Sequence, residues 1–117
     1  MIEKKRRITR SAFPHNNKQR MVLHGEFLTM THYTDLSTPY SHFTVVVSKK
    51  TEKSAVGRNS LKRAVYHAVQ QKESQFDTVY RGYLVFSFKK TQQKATFIDI
   101  QKDIEYFLNK KRQWKKP

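Results

Sequence analysis

The chain has 117 residues, with 24 Lys and Arg against 9 Asp and Glu, a formal net charge of +15 and no cysteine. One domain spanning residues 1–117 fits this length and a second has no room. Disulfide scaffolds and thiolate zinc sites are excluded, and an acidic metal-cluster hydrolase is a poor fit to so few carboxylates. Such an excess of positive charge calls for a polyanionic partner. A mean hydropathy of −0.82 would suit a disordered chain, but eight Phe, six Tyr and one Trp, with only three Gly and three Pro, supply a core. The longest apolar run, around residues 43–47, falls far short of the roughly 20 residues of a membrane helix. Residues 1–10 are basic and lack the apolar stretch of a secretory signal. A cytoplasmic protein without a membrane partner is expected.

In chain order, Pro14 and the polar residues after it shorten any helix over residues 8–13. Residues 27–33 read as a strand, with Leu28 and Met30 on one face and Phe27, Thr29, Thr31 and Tyr33 on the other. Residues 35–41, with Pro39, read as a turn into a β-branched strand over residues 42–48, so the two strands are expected to pair as an antiparallel hairpin. In residues 58–71, Leu61, Ala64, Val65, Ala68 and Val69 recur at the spacing of one helix face, leaving Asn59, Lys62, Arg63, Tyr66 and Gln70 opposite. A further strand is expected over residues 83–88, and a helix over residues 97–111 with Phe97, Ile100, Ile104, Phe107 and Leu108 as its apolar stripe. Thr96 and Asp99 have the spacing of a capping box. The basic tail, residues 110–117, reads as a solvated, disordered end or as a further contact.

The charge is clustered. Between residues 49 and 63 lie Lys49, Lys50, Lys53, Arg58, Lys62 and Arg63, against Glu52 alone. They surround the end of one strand and the beginning of the next helix, where backbone N–H groups and the helix dipole already favour phosphate and Arg adds a planar, two-pronged donor. Asn59 can bond sugar or phosphate oxygens. Like charges without acidic partners one turn away cost stability, which again points to a polyanion. The five histidines, at positions 15, 24, 32, 42 and 67, form no metal-ligand motif, and neither they nor the carboxylates suggest catalysis by this chain.

At these residues the sequence resembles the protein component of bacterial ribonuclease P. That family has a strand ending in Val-Ser-Lys-Lys, then Ala-Val, then Arg-Asn-Arg-x-x-Lys-Arg on a helix; this chain reads VVSKK at 46–50, AV at 55–56 and RNSLKR at 58–63. Ser60 stands where the family has its second Arg, Tyr66 where another Arg often follows, and the loop over residues 51–57 is one residue longer than usual.

The resemblance implies an α+β fold, a small two-layer α/β sandwich similar to the second domain of ribosomal protein S5. Its four-stranded, mostly antiparallel sheet would carry a left-handed βαβ crossover. It implies an accessory subunit of a tRNA 5′-maturing endoribonuclease, in which an RNA subunit cleaves with bound Mg²⁺ and the protein, as a monomer in a 1:1 complex, binds that RNA and the 5′ leader of precursor tRNA. Lys49, Lys50, Lys53, Arg58, Asn59, Lys62, Arg63 and Tyr66 would then meet the RNA subunit. Arg7, Arg10, Phe13, Phe27, Thr29, Thr31 and Tyr33 would line a leader cleft, supplying the cations, hydroxyls and aromatic faces that a single strand needs. The alternative is a ribosomal or other general RNA-binding protein without a role in cleavage.

Overall fold

The structure, a computed structural model, describes residues 20–34, 41–89 and 95–113. Four strands and three helices follow in the order β1 (Arg20–His24), β2 (Leu28–Thr34), β3 (Ser41–Val46), α1 (Ala55–Gln71), α2 (Glu73–Val79), β4 (Gly82–Phe88) and α3 (Phe97–Gln113). They form one mixed sheet in the order β1-β2-β4-β3, covered on one face by the helices. The helix proposed over residues 8–13 and most of the turn over residues 35–41 lie outside the described residues, as do Arg7, Arg10, Phe13 and the last residues of the tail.

The hairpin expected between residues 27–33 and 42–48 does not form. β2 pairs antiparallel with β1 and with β4, whereas β3 lies at the far edge, parallel to β4. Alternation tells which residues share a face but not which strand lies alongside, and a short turn at residues 25–27 gives β2 a nearer partner in β1. Parallel β3 and β4 require a crossover, which α1 and α2 supply.

Faces follow the alternation. Leu28, Met30, Phe43, Val45, Leu84 and Phe86 point to the helices and pack with Val65, Ala68 and Val69 of α1, Phe76 of α2, and Ile100, Ile104, Phe107 and Leu108 of α3. Phe43, Phe76 and Phe86 meet edge-on or stacked, at centroid separations of 5.7 to 6.5 Å, spacings suited to aromatic pairs. Phe97 departs from the expected apolar stripe: it is 36% exposed, and its ring lies against His67 of α1 instead of in the core cluster.

Polar joints fix the ends of these elements. Ser41, at the start of β3, donates its N–H to Asp77 (2.8 Å) and its hydroxyl to the carbonyls of Phe76 and Tyr80, which ties the edge strand to α2. Tyr80 donates its hydroxyl to the Phe107 carbonyl at 2.7 Å. Burial pushes that phenol well above the ordinary tyrosine range. Gly82 opens β4 at φ 120°, a conformation open to glycine and costly for other residues. The β1–β2 turn is held by Asp103 of α3, whose carboxylate accepts from the N–H groups of Glu26, Phe27 and Leu28 at 3.0, 2.7 and 2.9 Å. Gly25 leaves room for that carboxylate, since a Cβ there would lie 2.8 Å from Asp103 Cγ.

Candidate nucleic-acid interface

β3 ends at Val46, and Val47 still reaches the core. The chain then turns sharply: the Ser48 carbonyl accepts from the N–H groups of Thr51 and Glu52, both at 3.1 Å, and the Ser48 hydroxyl bonds Thr51 as well. Lys49 and Lys50 occupy the exposed tip of this turn. Ser54 caps α1 by accepting from the Gly57 N–H at 2.8 Å, and Glu52 accepts from the Ser54 N–H at 3.2 Å. Helix α1 therefore begins at Ala55, one turn before the expected position, because Ser54 is a better cap than any residue nearer Arg58.

Arg58 closes the loop on itself. Its Nη1 donates to the carbonyls of Glu52 (3.0 Å) and Lys53 (2.8 Å). The guanidinium is thus part of the scaffold that presents the lysines, a role its place in the motif did not reveal. Lys53, Asn59 and Arg63 are exposed, and Lys62 and Tyr66 are half-buried. Tyr66, expected on the outer face, packs partly against the core. At 100° per residue it lies on the flank of the helix, so its ring leans inward. The structure brings Lys49, Lys50, Lys53 and Arg58 to one loop and continues their charge along α1 through Lys62 and Arg63. No Asp or Glu occurs anywhere in α1, and Arg58 and Lys62 stand one turn apart with the same sign.

The sheet face turned away from the helices forms a second surface. Its register rows read Val22, Thr31, Val85, Thr44 and His24, Thr29, Ser87, Val46, and a further row sets Tyr33 beside Tyr83 and His42. Thr29, Thr31 and Tyr33 are all half-buried on this face. His42 and Tyr83 stack with centroids 5.2 Å apart and an interplanar angle of 20°. Neither was singled out from the sequence, although the alternation that sends Leu84 and Phe86 inward sends Tyr83 outward. Phe27, expected beside Thr29, is 6% exposed; it belongs to the turn held by Asp103, before the alternation of β2 begins.

Among the described residues no three side chains of His, Cys, Asp or Glu gather to hold a metal ion, and no helix is long and apolar enough to cross a membrane.

The arrangement has known counterparts. The Staphylococcus aureus RNase P protein, in a mutant with defective mRNA degradation activity, superposes with a TM-score of 0.76 at 21% identity, over 93% of this chain and 90% of that one. The Thermotoga maritima RNase P protein superposes with a TM-score of 0.66 at 20% identity, over 79% of this chain and 84% of that one. At such identities these likenesses establish the small α+β fold alone. No curated protein sequence matches the chain. The family model for ribonuclease P matches residues 2–112, nearly the whole length, and the chain therefore belongs to the ribonuclease P protein family, which serves tRNA processing.

Proposed function

We propose that this chain is the subunit that docks on the RNA of ribonuclease P and grips the 5′ leader of precursor tRNA, while the RNA performs the cleavage. The observation that carries the reading is the cluster of six cations, against the single acid Glu52, at the β3 exit and the start of α1. Lys49, Lys50 and Lys53 ride on a loop preorganised by Ser48, Ser54 and Arg58, and Asn59, Lys62 and Arg63 extend it along a helix without a single carboxylate. Point charges on a fixed loop suit a folded RNA backbone, and each phosphate contact releases counterions. The half-buried Tyr66 would reach such an RNA from the flank of the helix.

The outer sheet face suits the leader. Hydroxyls of Thr29, Thr31 and Thr44 can bond sugars and phosphates, and Tyr33, Tyr83 and His42 offer rings on which bases stack whatever their sequence. Arg7, Arg10 and Phe13 would complete that cleft from outside the described residues. Mg²⁺ is held by the RNA and its substrate, where phosphate oxygens supply the hard ligands that magnesium prefers. This chain contributes binding and charge neutralisation.

The test is reconstitution. Added to a bacterial RNase P RNA at low Mg²⁺, the chain should raise the rate of precursor-tRNA cleavage well above that of the RNA alone. Equal rates with and without the chain, over a range of Mg²⁺ concentrations that includes conditions where the RNA alone is active, would overturn the reading.

A further inference from the structure

Beside the cation cluster, on the face of α1 next to α3, the surface opens into a groove of about 540 Å³ lined by Ser60, Arg63, Ala64, His67 and Phe97. Its volume lies within the range of small-ligand sites, about 300–1,000 Å³. The opening follows from residue size: Ser60 and Ala64 stand one turn apart on α1, and both side chains are too short to fill the space before α3. Opposite them Phe97 turns away from the core, and its ring lies 5.3 Å from that of His67 at 46°. The two touching rings form one aromatic wall beside a small-residue floor, and the exposed Arg63 side chain lines the same groove.

The slot is held open by contacts of its own. Gln101 of α3 donates to Gln71 Oε1 of α1 at 3.1 Å, which leaves the Gln71 amide nitrogen to donate to His67 Nε2 at 3.4 Å. The Gln71–Gln101 link also fixes the distance between the two helices below the groove.

We propose that this groove receives an unstacked nucleobase of the RNA that the cation cluster binds. The inference rests on the RNA-docking reading above and adds a base-sized subsite to it. Charge decides the occupant. The groove opens on a helix that carries Arg58, Lys62, Arg63 and no acid, in a chain of net charge +15, so an acidic polymer is drawn there. Among such polymers a nucleic acid also offers flat apolar rings for Phe97 and His67. A base turned out of the RNA stacks on the exposed face of Phe97, with the His67 ring beside it, and its own phosphate meets Arg63.

The test compares ionic and stacking contributions on the same RNA. Binding of the wild-type chain and of Phe97→Leu, Phe97→Tyr, Ser60→Leu and Arg63→Gln to a bacterial RNase P RNA is measured over a range of salt, after circular dichroism has verified that each variant is folded. Phe97→Leu removes the π-face and Ser60→Leu fills the slot from an exposed helix position. Each should weaken binding about tenfold, as expected for one base–aromatic stack, with the salt slope unchanged. Phe97→Tyr should retain wild-type affinity, while Arg63→Gln should lower the slope by about 0.7–0.9, the share of a single phosphate. Chemical probing should find an unpaired base that the wild type protects and Ser60→Leu leaves reactive. Wild-type affinity in both Phe97→Leu and Ser60→Leu overturns the subsite and leaves the docking reading intact. A wild-type chain that does not bind the RNA overturns both.

Discussion

Helices α1 and α3 have 17 residues each, cover the same face of the sheet and touch one another, yet they handle charge in opposite ways. In α3 the acids are tied to the fold. Asp99 sits in its first turn and closes a reciprocal box with Thr96, Asp103 holds three backbone N–H groups of the β1–β2 turn, and Glu105 faces Lys72 of the α1–α2 junction at 3.9 Å. In α1 the cap is a neutral serine, no acid follows, and the charged side chains are all basic. In a chain this basic, a helix that keeps its carboxylates is anchored to its own fold, and a helix that excludes them is left for an anionic partner.

If that division holds, removing a carboxylate from α3 should cost stability, and removing the outward cations Lys62 and Arg63 from α1 should change only what the protein binds. The largest effect is expected at Asp103. Asp103→Ala leaves three N–H groups without their acceptor at a largely buried turn, at about 1–3 kcal/mol for each one that water cannot reach. A drop of about 3–5 kcal/mol in urea denaturation is expected, and a drop below about 1 kcal/mol would show that the turn holds without α3. Gly25→Ala, which drives a Cβ into the same carboxylate, should destabilise in the same direction.

On α1 the contrast reverses. Lys62→Ala with Arg63→Ala should leave stability within about 0.5 kcal/mol of wild type, as surface changes do, and should lower the salt slope of RNA binding by about 0.7–0.9 for each phosphate that the side chain had neutralised. A destabilisation equal to that of Asp103→Ala would erase the distinction between the helices. Arg58 stands between the two cases. Arg58→Lys preserves the charge but cannot bond both loop carbonyls with the same planar fork. It should cost about 1 kcal/mol of stability and keep the salt slope, whereas Arg58→Ala should reduce both.

Much of this is legible in the sequence, but unevenly. Alternation sorts the residues of β2, β3 and β4 into two faces without telling which one meets the helices, since both carry apolar side chains, and helical periodicity finds Val65, Ala68 and Val69, because burial acts on each element's own pattern. The Thr96–Asp99 box is visible because capping is local. Strand pairing is not, since a parallel β3–β4 contact depends on where α1 and α2 deliver the chain. Short β1 and α2 carry too few apolar positions for a period to show, although Phe76 is fully buried. For the candidate site, the motif locates the cations, but not that Arg58 braces the loop or that Tyr66 leans on the core. Those roles depend on neighbours the spacing does not reveal. Phe97 reads as core by spacing and is not, because its ring lies against His67 of α1, a neighbour that periodicity does not reveal.

The smallest effect separates the two helix caps by pH. Two hydrogen bonds from Thr96, first from its N–H and then from its hydroxyl, hold the Asp99 carboxyl below its ordinary value. A carboxylate whose pKa is depressed by folding contributes stability that is present above the unfolded value of about 3.9 and disappears as pH falls through the folded value. Ser54, the cap of α1, does not titrate. Denaturation of wild type, Asp99→Asn and Ser54→Ala should therefore be compared from pH 7 down to pH 3. The gap between wild type and Asp99→Asn should be open at neutral pH and narrow as acid protonates the carboxylate. The gap for Ser54→Ala, about 1 kcal/mol, should stay constant across the range. A constant gap for Asp99→Asn would mean that the box acts through the Thr96 hydroxyl alone, and the electrostatic contrast at the helix starts would then rest on the cations of α1 without a counterpart in α3.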